Sequence, residues 1–173
     1  MFKINEFRKQ IKQYKSHLKQ DNNGLILFCF GTSFISRLIM VMTRENEEET
    51  VPSHVAIIYK NFIYESTSSS EKVGNKKIPS GVRRWLLKDF LMAEKKKDTS
   101  YELYPVTINE KELEKNIHLP YGIDTIVDYA LKDGSDGVSK GLICSQYGNK
   151  VTGLIQKDCV TPAEMYRFVK GAI

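Results

Sequence analysis

The stretch HVAIIYKNFIYES, residues 54–66, reads as two strands joined by a tight turn. Both halves are rich in β-branched and aromatic residues, and only Lys60 and Asn61 separate them. That pattern predicts an antiparallel β-hairpin. If Tyr59 and Lys60 form the loop, His54 faces Glu65; if Lys60 and Asn61 form it, the two are diagonal neighbours. In both registers they leave the same face, because strand side chains alternate with period two. A carboxylate beside an imidazole fixes the tautomer and stabilises the protonated ring. By itself the pair reads more simply as the start of one strand and the surface end of another.

Upstream, LILFCF (residues 25–30) is a continuous apolar run bounded by turn residues, the mark of a buried strand. Thr32 or Ser33 is placed to cap a short helix, FISRLIMVMT. Residues 44–53 are acidic, contain Val51-Pro52 and read as a loop. Downstream, STSSSEKVGNKK reads as a mobile loop, GVRRWLLKDFL as a strand end and short helix, and YELYPV as a strand. Residues 109–118 read as a polar helix and 120–131 as a second one with Pro120 in its first turn. A Gly- and Asp-rich loop over 133–141 follows, and Thr161-Pro162-Ala163-Glu164 starts a final helix through Lys170. Strands grouped in the middle with helices at both ends predict an α+β fold.

At 173 residues the chain is long enough for one domain that buries roughly 70% of its unfolded surface. Its longest apolar run is strand-sized, far short of the ~20 residues that span a bilayer. The N-terminus lacks the apolar core and cleavage site of a secretory signal, which predicts a cytoplasmic protein as synthesised. Action outside a cell would then require release by lysis, a carrier or packaging in a virion.

The net charge of +5 is concentrated in residues 1–20, where six basic residues stand against Glu6 alone. The other 153 residues hold 20 basic and 20 acidic side chains. In this segment Ile4, Phe7, Ile11, Tyr14 and Leu18 recur at helical spacing, so it reads as an amphipathic helix. We divide the chain accordingly into this helix, 1–20, and a domain over 24–173. A helix packed on the domain with a solvated basic face is the general expectation. Docking on an anionic membrane or cell-wall surface is the sharper one. Nucleic acid is an unfavoured partner, because the charge sits on one helix and no reading motif is present.

Cys29, Cys144 and Cys159 have no metal-ligand spacing, and their odd number fits a reducing compartment. No metal or other cofactor is expected. Cys29 lies mid-strand and reads as core; Cys159 falls in a loop. Cys144, in GLICSQY, stands where a helical pattern begins with Tyr147 and Val151. Unpaired N–H groups and the positive dipole end at a helix start favour a thiolate and can hold an oxyanion. His54 and Glu65 would supply base and orienting carboxylate if the sheet packs against this helix.

The ordered motifs Gly-Thr-Ser, Ser-His-Val-Ala-Ile, Tyr-Glu-Ser, Pro-Tyr-Gly, Cys-Ser-Gln and Thr-Pro-Ala-Glu resemble the circularly permuted NlpC/P60 superfamily of papain-like proteins, in its YiiX/YebB-like branch. The resemblance covers about residues 24–168, with histidine before cysteine. It implies an antiparallel sheet packed against the helix that carries the cysteine. It also implies Cys144 as nucleophile, His54 as general base and Glu65 as the group that orients the histidine. Tyr121 falls at a family tyrosine that lines the site and helps hold the oxyanion; Ser53 and Ser145 flank histidine and cysteine and are placed to line the pocket. Leu25, Gly122 and Gln146 depart from the family's Asp, Asp and Glu and affect the substrate pocket rather than the triad.

The implied activity is a cysteine peptidase or amidase, with peptidoglycan stem peptides as the leading substrate. A lipid or acyl hydrolase or acyltransferase is an alternative from neighbouring branches. A non-catalytic peptide- or partner-binding module is the other.

Overall fold

The hairpin forms with Lys60 and Asn61 as its loop: Tyr59 pairs with Phe62, Ile58 with Ile63 and Ala56 with Glu65. Lys60 adopts the left-handed conformation, φ +54°. His54 and Glu65 are therefore diagonal neighbours. In this computed structural model, which describes residues 1–32, 34–122, 141–158 and 160–171, the hairpin strands β2 (His54–Tyr59) and β3 (Phe62–Thr67) sit inside a five-stranded antiparallel sheet. The order is β6 (Gly81–Leu86), β3, β2, β1 (Asn23–Phe30) and β7 (Ser100–Thr107).

Both faces of the sheet are covered, which is why residues 24–30 are all buried and show no alternation. Ile26, Phe28, Val55 and Ile57 face the helices α4 (Glu110–Lys115), α5 (Cys144–Thr152) and α6 (Pro162–Gly171), meeting Tyr147, Val151 and Met165. Leu25, Leu27, Ala56, Ile58 and Ile63 face α1 (Ile4–Gln13) and α3 (Leu87–Glu94), meeting Phe7 and Phe90. Each such fully buried large side chain contributes about 2 kcal/mol. The molecule is α+β, an antiparallel sheet packed against helices.

The apolar stripe of the N-terminal segment is spent on this core. Phe7 is fully buried and stacks on Tyr101 with ring centroids 4.6 Å apart. The α-helix stops at Gln13, earlier than the stripe suggests; a 3₁₀ turn over His17–Lys19 then brings Leu18 back onto the same core.

Two other readings change. The low-complexity stretch holds a small hairpin, β4 (Glu71–Val73) with β5 (Lys76–Ile78), because Gly74 supplies a turn at φ +59°. Lys97 tethers it to the end of α3 by bonding Glu71 over 2.6 Å. Residues 120–122 are not helical: they run beside residues 141–142, and the Leu142 N–H donates to the Pro120 carbonyl over 3.1 Å. The rest of the helix read over 120–131, the loop up to residue 140, Cys159 and the proposed cap Ser33 lie outside the described residues. The helix after β1, α2 (Phe34–Thr43), is followed by an acidic loop that Arg167 of α6 clamps through Glu49, with two bonds of 2.6 Å. Among the described residues no helix is long and apolar enough to cross a membrane.

Candidate active site

Glu65 is 3% exposed and receives donors from both neighbouring strands. From β2, His54 Nε2–H donates to its Oε2 over 2.7 Å. From β6, Arg83 lies directly opposite it in register and donates from Nε (3.0 Å) and Nη2 (2.8 Å) to its Oε1. Trp85 Nε1–H adds a fourth donor to the same oxygen at 3.1 Å. Burial alone would raise this carboxyl. The His54 hydrogen bond and the Arg83 charge outweigh it and lower Glu65 from 4.5 to about 2.

Arg83 is itself buried, and its remaining amino group donates to the Ser69 and Pro79 carbonyls, each at 2.9 Å. Its guanidinium lies 4.8 Å from the Trp85 ring centroid. A buried ion pair is destabilising unless its hydrogen bonds are met, and here they are. Sequence reasoning missed both residues. Trp85, whose large apolar ring marks the inward face of β6, signals that residue 83 shares that face, but its partner Glu65 is set only by the pairing of β6 with β3.

His54 uses Nε2 on Glu65, which leaves Nδ1 for the other side of the ring. Cys144 is near enough to favour the protonated ring. Burial disfavours the charged ring most strongly. Cys144 and Glu65 together overcome it and raise His54 from 6.5 to about 10. The sheet and the α5 start thus place Cys144 close to the hydrogen-bonded pair of Glu65 and His54.

Cys144 is the first residue of α5, after Ile143 in extended conformation. Gln146 closes that helix end: its Oε1 accepts from the Ile143 N–H over 3.1 Å, the third-position capping role. The first N–H groups of α5 have no partners within the helix. Gly148 allows α5 to press on β2, since a Cβ there would meet Val55 Cγ1 at 3.0 Å. That close approach seats Cys144 against the end of β2, where His54 lies.

Tyr121 stands on the same side. Burial, then the charge of Cys144, push its phenol well above the usual range, so it stays protonated. Gly141 lets the Tyr121 segment come close, because a Cβ at 141 would collide with the Pro120 carbonyl oxygen.

A cavity of about 550 Å³ opens in front of the histidine, and His54, Glu65, Tyr121 and Ser53 contribute to its wall. Ser53 also ties β1 to β2, with its hydroxyl between the Cys29 carbonyl and the Gly31 N–H, each at 3.3 Å. Ser145 is placed differently. It is fully buried and its hydroxyl bonds the Val160 carbonyl, so it fastens α5 to the approach of α6 instead of lining the cavity. Cys144 is 3% exposed and is not part of the cavity wall, which His54 and Tyr121 form on its side.

Cys29 lies across the strand pair from His54 and also lines the cavity. Burial, followed by the charges of Glu94 and Glu65, raises its thiol well above the usual range. Its thiol is thereby held in the protonated form. His17 bonds the Gly24 carbonyl at 3.1 Å, far in function from this cluster, and His118 occupies a turn at φ +77°. Among the described residues no group of three or more His, Cys, Asp or Glu is placed to hold a metal ion.

The arrangement provides a sulfur at a helix start, a charged imidazole against it, a fixed carboxylate behind and a phenol at the side. Compared with known proteins, the chain matches no protein-family model, no curated protein and no solved structure.

Proposed function

We propose that the protein is a cysteine hydrolase acting on an amide bond, with a circularly permuted papain-like fold of the NlpC/P60 kind. The observation that carries this reading is the chain Glu65–His54–Cys144, assembled from β3, β2 and the first residue of α5. The antiparallel sheet packed on the cysteine helix, and the order histidine, carboxylate, cysteine along the chain, support the fold.

The Cys144 thiolate attacks the carbonyl carbon and forms a tetrahedral oxyanion, which the first N–H groups of α5 and the Tyr121 hydroxyl stabilise. The His54 imidazolium passes its proton to the leaving nitrogen as the C–N bond breaks, giving a thioester. Water, deprotonated by the now neutral ring, attacks that thioester and releases the acid and the thiolate. Glu65 keeps the ring in one tautomer and offsets its charge throughout.

Peptidoglycan stem peptides are the leading substrate, and other acyl donors, including lipids, use the same chemistry. Release by lysis or carriage in a virion would bring the enzyme to a cell wall. One observation favours the second reading, a non-catalytic binding module: the 3% exposure of Cys144 beside a cavity of ample size. Mass spectrometry of peptidoglycan, peptide and acyl-lipid digests separates the two. The hydrolase reading expects new amine and carboxylate ends with the wild type and none with Cys144→Ala. Unchanged digests throughout, with peptide retained on the protein, support the module.

A further inference from the structure

Cations are distributed unequally over the two sides of the sheet. Around α4 and α6 four are paired, Lys60 with Glu110, Arg84 with Glu114, Lys157 with Glu164 and Arg167 with Glu49, and the exposed Lys111, Lys150 and Lys170 lie scattered on three different helices. On the other side Lys12, Lys15, Lys19, Lys88, Lys95 and Lys96 are all exposed, and none has an ion pair among the described residues. The acidic residues of α3 do not offset them. Asp89 and Glu94 are buried, at 8% and 7% exposure, and are met from within the molecule by Lys76 and Lys97. Sorting by burial thus leaves α3 with an outward face of lysine that its balanced composition conceals.

The two basic helices meet, and Lys15 and Lys19 follow α1 on the stretch that leaves it. Arg8 Nη2 donates to the Leu91 carbonyl over 3.2 Å, which places the Arg8 side of α1 against α3. Lys12, four residues on, shares that side. Next to Leu91, Met92 is 51% exposed, with Lys88 one turn before it and Lys95 one turn after. An apolar tip therefore stands in a field of unpaired lysines.

We propose that this α1/α3 face docks the protein on an anionic lipid bilayer. The apolar stripe of α1 is already buried in the core, so α1 does not insert; attraction comes from a preformed lysine plate acting on headgroup charge. The six exposed cations are all lysine, which act as point charges, whereas the planar fork of arginine suits fixed phosphate geometry. The exposed Met92 thioether, flanked by Lys88 and Lys95, has a use at the acyl boundary of a bilayer and none on a nucleic-acid backbone. Glu94, Lys97 and Asp98, at the end of α3, line the cavity, so docking holds one cavity rim close to the headgroups. The proposal stands independently of the hydrolase reading.

Cosedimentation of the full chain with phosphatidylcholine vesicles, with and without about one-third phosphatidylserine, tests it. Binding is expected only to the anionic vesicles, and raised salt releases it. Replacing Lys88, Lys95 and Lys96 by Gln, or Lys12, Lys15 and Lys19 by Gln, weakens binding at least about tenfold. Met92→Ser weakens it about threefold. Lys111→Gln with Lys150→Gln, on the opposite side, leaves it unchanged. All these side chains are exposed, and thermal melts confirm that each variant is folded. Equal binding to neutral vesicles, no binding to either, full binding by the lysine variants, or tighter binding to heparin than to vesicles overturns the proposal.

Discussion

Glu65 sits across the hairpin from Ala56, not from His54, yet its Oε2 lies 2.7 Å from His54 Nε2. The diagonal offset is within reach of two long side chains that leave the same face of the hairpin. On its other flank Glu65 is directly opposite Arg83. One carboxylate in the middle strand is therefore held from both sides, and the imidazole inherits that fixed position.

Arg83→Lys tests the flank on β6. Lysine keeps the charge but not the fork that meets Glu65 twice and two carbonyls besides. Stability falls by about 2–4 kcal/mol, read from the urea midpoint. A change below the error of that measurement would contradict the role assigned to Arg83.

The pH dependence of stability follows from two shifts of opposite sign. His54 is raised from 6.5 to about 10, so its contribution is complete below 6.5 and is lost as pH rises through 10. Glu65 is lowered from 4.5 to about 2, so its contribution is complete above 4.5 and is lost as pH falls towards 2. The stability difference between wild type and His54→Gln, measured by denaturant titration, therefore shrinks between pH 6.5 and 10. A constant difference over that interval would show that the ring is not held charged.

Tyr121→Phe removes the phenol beside Cys144 and leaves the ring. Turnover of an acyl donor drops about a hundredfold if the hydroxyl holds the oxyanion. Thermal stability stays within about 1 kcal/mol, because the lost group faces the cavity. An unchanged rate would assign Tyr121 to the cavity wall alone.

The parts of this site governed by local pattern are legible in the chain. Two-residue alternation placed His54 and Glu65 on one face, and the start of a helical period placed Cys144 at a helix end. Thr161 and Glu164 form the reciprocal cap expected of their spacing, with Thr161 N–H to Glu164 at 2.7 Å and Glu164 N–H to Thr161 at 3.1 Å. What depends on distant register is not legible. Arg83 and Arg84 are adjacent and chemically alike, yet one is buried on Glu65 and the other is exposed beside Glu114. Alternation from Trp85 tells which one turns inward, but only the pairing of β6 with β3 sets Glu65 opposite it. Ser145 fails for a related reason: one step along a helix turns a side chain by about 100°, away from the direction of its neighbour. The charge of α3 is hidden in the same way, because composition does not say which residues are buried.

The most direct measurement is the rate of iodoacetamide alkylation at each cysteine between pH 5 and 9, read by peptide mass spectrometry. Selective reaction of Cys144 from the acid end of that range, with Cys29 unlabelled and the early reaction lost in His54→Ala, is the predicted result. Equal labelling of the cysteines with an ordinary thiol profile, unaffected by His54→Ala, would contradict the triad.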